Sequence, residues 1–119
     1  MRDDRRIAER RVLKERVLAW AQRIRVSPTQ VRVQKMTRKW ASCSTLGWIS
    51  LAEDLIHEPV QFQDFVIVHE LLHMRVPNHG KLFKSLMSIY VPNWRKLSSD
   101  LEQSTVGRQV GAGRKWTRG

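Results

Sequence analysis

Hydrophobic residues recur at helical spacing in the first part of the chain. The stripe consists of Leu13, Val17, Trp20 and Ile24. Positions i, i+4, i+7 and i+11 lie on one face of a helix, so the pattern predicts a helix packed against a core. The arginine-rich turns before this stripe are predicted to face solvent or a partner. Ser27-Pro28 ends the helix, because a residue before proline disfavours helical backbone.

The chain then changes to the two-residue alternation that is typical of β-strands. Residues 31–36 alternate apolar and polar side chains and predict a half-buried strand. Residues 40–44 and 47–51 predict two further strands, joined by a turn at Thr45-Leu46-Gly47. A short helical or irregular segment, residues 52–57, follows the third strand.

The next segment, from Pro59 to Val76, contains the run Phe65-Val66-Ile67-Val68, which fits either a buried strand or a buried helix. The segment is longer than a typical strand, and Pro77 supplies a stop signal. Pro59 suits a first helical turn, so we predict a helix from Pro59 to Val76. Because the run is apolar on every side, this helix is expected to be buried on most sides.

Two more helices are predicted after Pro77. Asn78 is a good N-cap for a helix through Tyr90. The apolar face of that helix is expected to consist of Leu82, Phe83, Leu86, Ile89 and Tyr90. A short helix from about Asn93 to Glu102 follows, and residues 105–119, rich in Gly and basic residues, are expected to form a flexible basic tail.

Length and composition indicate one globular domain, which we place at residues 1–104, before the tail at 105–119. Forty-one per cent hydrophobic residues and five tryptophans fit a packed core. No apolar run approaches the roughly 18 residues of a membrane span, so no membrane partner is expected. The single cysteine excludes an internal disulfide and favours a cytoplasmic setting. The sequence does not indicate an oligomeric state.

The net charge of +11 is unevenly distributed. Residues 1–25 and 31–39 are strongly basic, whereas residues 40–74 contain five acids and no Lys or Arg. This pattern predicts cation capture at the centre of the chain and attraction of anionic partners, nucleic acid among them, at its periphery. A solvated basic surface with no specific partner is the alternative.

The acidic segment contains His69-Glu70-Leu71-Leu72-His73. On a helix, His69 and His73 lie one turn apart on one face, with Cβ atoms about 5–6 Å apart, so both can bind one Zn²⁺. On a strand they would be about 13 Å apart. Glu70 projects about 100° around the helix, close enough to act on a metal-activated water. H-E-x-x-H is the pattern of zinc metalloproteases. Hydrogen-bonded core histidines and a structural salt bridge of Glu70 are the alternatives.

Five motifs occur in order within about residues 12–97: V-R-V-Q-K-M, W-A-S-C-S, G-W-I-S-L, H-E-L-L-H and P-N-H-G-K-L-F. Together they resemble the YgjP/SprT-like metallopeptidases, a minigluzincin-type group of zincins. The family's Trp-Gly-Ser-Cys motif is here Trp40-Ala41-Ser42-Cys43, with alanine in place of glycine. Where the resemblance leads us to expect an aromatic pair, this chain has Phe83 followed by Lys84.

The resemblance implies an α+β, zincin-like (minigluzincin) single domain, with a small β-sheet packed on an N-terminal helix, an active-site helix and a backing helix. It implies that His79 is the third ligand of one catalytic zinc ion, beside His69 and His73. A carboxylate of the last helix, Asp100 or Glu102, is the alternative third ligand. Three protein ligands leave one coordination position for water, as in catalytic zinc sites.

Several other residues are candidates for a structural or binding role. We expect Cys43 to pack in the core, and we expect Trp40 and Trp48 to pack the sheet rather than stack on bases. His57 is the weakest metal-ligand candidate and is expected at the surface. By resemblance to zincins, residues 47–51 are expected to line the cleft and pair with an extended peptide.

The leading hypothesis is a zinc-dependent metallopeptidase-like hydrolase of peptides or proteins, in which activated water attacks the peptide bond and Glu70 is the general base and acid. One alternative keeps the zinc site and hydrolyses a nucleotide phosphoanhydride. Another is a nucleic-acid-associated protein that binds through its basic surface, including a protease that acts on DNA-bound proteins, as SprT-like members do.

Overall fold

The computed structural model describes residues 2–99, with side chains from residue 4 onward. In chain order the elements are α1 (Arg2–Ile24), β1 (Gln30–Gln34), β2 (Ala41–Cys43), β3 (Trp48–Ala52), a 3₁₀ helix (Glu53–His57), α2 (Val60–Leu72) and α3 (Lys81–Tyr90). Residues 94–99 are also helical and are called the 94–99 segment. The predicted α+β class and the order of its elements are confirmed. The predicted tail, residues 105–119, lies outside the described residues, so the domain boundary at residue 104 stays a prediction.

The three strands form one sheet in the order β1-β3-β2, with β1 parallel and β2 antiparallel to β3. Val33, Ile49 and Leu51 are buried on the inner face, whereas Arg32 and Trp48 are exposed on the outer face. Because β3 is central, both of its edges are already hydrogen-bonded to strands. The expectation that residues 47–51 pair with a peptide is therefore wrong.

The turn between β2 and β3 forms where it was predicted. Gly47 has a φ of 83°, a left-handed conformation that residues with a Cβ rarely adopt. A Cβ added at this position would also lie 3.0 Å from the hydroxyl oxygen of Thr29. The Ser44 hydroxyl accepts hydrogen bonds from the backbone N–H groups of Leu46 and Trp48, which closes the turn.

The core forms where α1 and the sheet enclose α2. The α1 stripe is buried as predicted at Leu13, Val17 and Ile24, while Trp20 is half-buried. In α2 every residue from Phe65 to Leu72 is buried, as expected for a helix that is apolar on all sides. None of the helices within residues 2–99 combines the length and apolar character that crossing a membrane requires.

Part of the acidic segment joins α1 to its neighbours. The Asp64 carboxylate of α2 accepts hydrogen bonds from the Arg16 guanidinium and from the Trp20 indole N–H, the latter at 2.9 Å. Arg10 donates to Glu53 at 2.6 Å. These two acids therefore hold α1 in place.

The connection between α2 and α3 differs from the prediction at both ends. Helix α2 ends at Leu72, not Val76, and residues 73–75 continue as tight i→i+3 turns. Helix α3 begins after Gly80, not after Asn78. Pro77 prevents the helix from resuming at Val76, because it lacks an N–H and disfavours helical backbone at the residue before it.

The buried face of α3 is also rotated from the predicted one. Phe83 and Met87 are its buried residues, whereas Leu82 and Ile89 are 60% and 68% exposed. The predicted apolar face therefore included two residues that face solvent and missed Met87. Met87 lies four positions after Phe83, so both point toward α2 from one stripe.

Leu51→Ala tests the packing of the central strand. Leu51 is fully buried, so we expect the free energy of unfolding to fall by about 2–5 kcal/mol through lost burial and a cavity. Leu46→Ala is the matched control, because Leu46 is 69% exposed and its loss should cost less than about 0.5 kcal/mol. Urea titrations of both variants measure the difference, and equal losses would contradict this description of the core.

Candidate metal centre

The three histidines predicted as ligands come from the end of α2 and the loop that follows it. His69 lies in the last turn of α2, and His73 is its C-cap with φ −63° and ψ −21°. Their ring centroids are 4.7 Å apart. The loop returns His79 toward the helix, so that its Nε2 lies 3.1 Å from Nε2 of His73 and its ring centroid 5.1 Å from that of His69. The three histidines thus form one cluster.

The cluster has the donor set and the spacing for a zinc ion. One potential ligand atom from each histidine lies within 4.8 Å of the others. Nitrogen ligands about 2.0–2.1 Å from a tetrahedral ion are about 3.4 Å apart, close to the 3.1 Å that separates His73 from His79. Two ring nitrogens facing each other at this distance need either a proton or a shared cation between them. Imidazole ligands suit zinc among the common metal ions.

Burial keeps the imidazoles of the cluster neutral. It lowers the pKa of His69 to about 4. Burial also lowers the pKa of His73 to about 4, with a further reduction from the neighbouring His69 and His79. The pKa of the more exposed His79 is lowered by burial, by His69 and by Lys84. Neutral imidazole is the form that binds a metal ion, so the apolar setting prepares the cluster for a cation.

Glu70 is fully buried directly beside the cluster. One carboxyl oxygen, Oε2, lies 3.2 Å from Nδ1 of His69, and the other, Oε1, is buried without a hydrogen-bond partner. Burial raises the pKa of Glu70 to about 8, and the charge of Lys39 opposes this shift. A buried carboxyl oxygen without a hydrogen-bond partner lowers the stability of a fold, so such a group is typical of a functional site.

Phe83 of α3 contacts all three histidines, a role that the sequence did not reveal. Its ring centroid lies 5.5 Å from that of His69, 5.0 Å from that of His73 and 4.6 Å from that of His79. The ring stacks on His73, with 30° between the planes. Phe83 was predicted only as part of an apolar stripe; its position four residues after His79 was the signal that could have suggested more.

Strand β2 packs against α2 near Glu70. Cys43 is half-buried and packs against the core, as predicted. Burial, and secondarily the charge of Glu70, raise the pKa of its thiol to about 11. Cys43 is therefore unreactive as a nucleophile at neutral pH, and β2 passes close to the Glu70 carboxyl.

The remaining candidates lie apart from the cluster or outside the described residues. His57 is exposed and its Nε2 is 3.9 Å from a Glu9 carboxylate oxygen, as expected for a surface histidine. Trp40 is buried as predicted, whereas Trp48 is 39% exposed beneath the Arg32 guanidinium. Trp48 thus covers the outer face of the sheet, and its packing there rather than on bases stays a prediction. Asp100 and Glu102, the alternative third ligands, lie outside the described residues.

Comparison with known proteins identifies the family. A family described as YgjP-like, metallopeptidase domain, matches residues 2–104 of this chain. The chain belongs to the YgjP-like metallopeptidases. Its structure is similar to the crystal structure of the metallopeptidase zymogen of Methanocaldococcus jannaschii jannalysin, with a TM-score of 0.68 and 19% sequence identity. The match covers 77% of this chain and 95% of the jannalysin chain, and it shows a shared fold. A search of curated proteins finds no match.

Membership of this family assigns the chain to the metallopeptidase-type hydrolases and implies a metal. Peptides or proteins are accordingly its substrate class. The zincin-like fold expected from the sequence is confirmed by the jannalysin similarity. The roles of the three histidines and of Glu70 stay predictions.

Phe83→Leu tests whether the Phe83 ring holds the three histidines in place for metal binding. The substitution keeps an apolar side chain but removes ring contacts to all three imidazoles, so we expect about tenfold weaker zinc affinity. Phe65→Leu is the matched control, because Phe65 is also a buried ring but lies farther from His69, with centroids 6.3 Å apart against 5.5 Å for Phe83. Competition titration with a chromogenic chelator measures both affinities. Equal effects of the two substitutions would show that Phe83 has no special role.

Proposed function

We propose that the protein hydrolyses peptide bonds with one catalytic zinc ion held by His69, His73 and His79, and with Glu70 as general base and acid. The observation that carries the proposal is a three-histidine cluster beside a buried carboxyl group with an unpaired oxygen, in a chain of a metallopeptidase family. The alternative of a nucleotide phosphoanhydride substrate receives no support from the family assignment.

The three imidazoles supply a complete set of protein ligands for a catalytic site. Zinc in such a site lowers the pKa of water to about 7, polarises a peptide carbonyl and favours the ionised form of a nearby carboxyl group. Phe83 limits the movement of the three rings, so little ordering is left to occur when the ion binds.

The environment of Glu70 suits proton transfer. A carboxyl group whose pKa lies near the working pH can both accept and release a proton, and burial brings Glu70 into that range. Its Oε1 is the atom without a partner, so this oxygen is available to take the proton of the attacking water. The same atom then returns the proton to the amine that leaves when the peptide bond breaks.

The position of β2 suggests how the substrate backbone is held. Among the described strands β2 pairs only with β3, which leaves its other edge for an extended chain. Because β2 passes Glu70 at Cys43, a peptide added to this edge would run alongside the cluster. We therefore assign peptide alignment to β2 and not to β3.

Nucleic-acid binding through the basic surface is a secondary proposal. The Arg32 guanidinium lies 5.3 Å from the centroid of the exposed Trp48 ring on the outer face of the sheet. Such an arginine–aromatic pair suits stacking with bases as well as contact with phosphates. A cytoplasmic setting is likewise retained as a proposal, because the chain has a single cysteine with a buried-type thiol.

Glu70→Gln tests the proton-transfer role. The amide keeps the shape of the side chain but cannot accept the proton, so kcat should fall by about 10²–10⁴-fold while zinc content is unchanged. Glu58→Gln is the control, because Glu58 lies in the turn before α2 and outside the cluster. Hydrolysis of an unfolded protein and elemental analysis are the two measurements. Wild-type turnover in Glu70→Gln would refute the assignment.

His79→Ala tests the third ligand. Wild type should hold one zinc ion per chain, and zinc at about 100 times its Kd should raise the free energy of unfolding by about 2.7 kcal/mol. In His79→Ala we expect most of this stabilisation to disappear. His57→Ala should behave as wild type, because His57 is exposed and distant from the cluster. Thermal melts with and without EDTA give the comparison; a fully zinc-stabilised His79→Ala would exclude His79 as a ligand.

A further inference from the structure

A pocket of about 260 Å³ opens directly beside the histidine cluster. It lies between α2, α3 and the 94–99 segment, and His69 and His79 form part of its wall. Any group that enters the pocket is therefore next to the proposed metal position. The volume is below the roughly 300–1,000 Å³ of pockets that hold whole small molecules, and it suits a single side chain of a larger substrate.

The other walls of the pocket are mainly apolar. Phe65 of α2, Phe83 and Met87 of α3, and Trp94 of the 94–99 segment supply them. Trp94 is fixed in place, because its indole N–H donates to the Ser88 hydroxyl at 2.9 Å. The Ser88 hydroxyl in turn donates to the Lys84 carbonyl at 3.0 Å. The pocket is thus a preformed apolar site that favours a large hydrophobic side chain.

Lys84 gives the pocket a positive charge at its solvent side. The residue lines the pocket but is exposed, so its ammonium group can stay in water while its aliphatic stem covers the wall. Its charge acts on His79, whose pKa it helps to lower. No Asp or Glu is among the described residues that line the pocket. A cation next to an apolar site favours a carboxylate and disfavours a second cation.

On the basis of the proposed function, we propose that this pocket selects the substrate. It binds a large apolar side chain of a residue that flanks the bond to be cut, and Lys84 pairs with a carboxylate close to that residue. The carboxylate comes either from an acidic side chain or from the C-terminus of a short peptide. Lys84 is therefore a specificity-determining residue.

The first test uses zinc-loaded wild type and a set of quenched fluorescent peptides. The residues on either side of the cleaved bond are varied in turn among Phe, Leu, Ala and Lys. On one side of the bond, kcat/KM should be at least about 30-fold higher for Phe or Leu than for Ala, and lowest for Lys. Equal cleavage of all peptides would overturn the proposal.

The second test changes the charge at the pocket. One set of peptides carries an added Asp near the apolar residue, which tests an acidic side chain as the source of the carboxylate. A second set ends in either a free carboxylate or an amide, which tests the C-terminus as the source. For wild type at low salt, kcat/KM should be about fivefold higher for one of the two acidic peptides than for its neutral counterpart. Lys84→Glu should abolish or reverse this preference. Lys81→Glu is the control, with the same change in net charge on an exposed residue of α3 that does not line the pocket. Equal shifts in both variants would rule out a role for Lys84.

The third test blocks the pocket. Ser98 lines it, whereas the neighbouring Ser99 is exposed and does not. Ser98→Phe should reduce cleavage of the Phe peptide at least tenfold more than cleavage of the Ala peptide, and Ser99→Phe should leave their ratio unchanged. An unchanged ratio in Ser98→Phe, in a protein that melts like wild type, would contradict the assignment.

Binding to zinc-loaded Glu70→Gln separates this proposal from the proposed function. If wild type cuts none of the peptides, peptide hydrolysis is refuted, and calorimetry with the uncut peptides still examines the pocket. Tighter binding of the Phe peptide than of the Ala peptide, lost in Ser98→Phe but kept in Ser99→Phe, supports the pocket. Equal binding of the Phe and Ala peptides would refute it.

Discussion

The burial of α2 on almost every side is the constraint on which the rest of the structure depends. From Phe65 to Leu72 no residue of the helix faces solvent, because α1, the sheet and α3 enclose it. Two polar residues that carry the proposed chemistry, His69 and Glu70, are placed inside this apolar environment. Their pKa values move in opposite directions for the same reason, since burial disfavours charge on either group. A solvated helix with the same motif would lack both shifts.

The same helix also decides how the cluster is completed. Because α2 ends at Leu72 and Pro77 prevents the helix from resuming, the chain turns back within a few residues and His79 reaches the rings of His69 and His73. Had α2 continued to Val76, as its local sequence allows, His79 would have continued away from the buried face. Phe83 then closes the cluster from α3, and its contact with all three rings couples the packing of that helix to the geometry of the proposed ligands.

The parts of the fold that depend on local pattern were predictable from the sequence. The helical stripe of α1, the turn at Gly47 and the helical state of α2 follow from spacing and from residues with strong backbone preferences. Strand order was not predictable in this way, because the central position of β3 results from pairing between distant segments. The rotation of α3, which exposes Ile89 and buries Met87, likewise depends on what the helix packs against. His69 and His73 were predicted from their spacing and His79 from the family resemblance, but the contact that orders the three was not predicted.

The rotation of α3 links the cluster to substrate choice. With Phe83 and Met87 turned inward, the next position after Phe83 lies at the boundary between the apolar pocket and solvent, and this chain places Lys84 there. An aromatic residue at that position would extend the apolar wall of the pocket, whereas lysine places a positive charge at the edge of that wall. The contact that orders the proposed metal ligands and the charge that selects the substrate therefore come from adjacent residues on one helix. A change in the packing of α3 would alter both properties together, whereas a change at the exposed Lys84 side chain alters the proposed selectivity and leaves the contacts between Phe83 and the histidines in place.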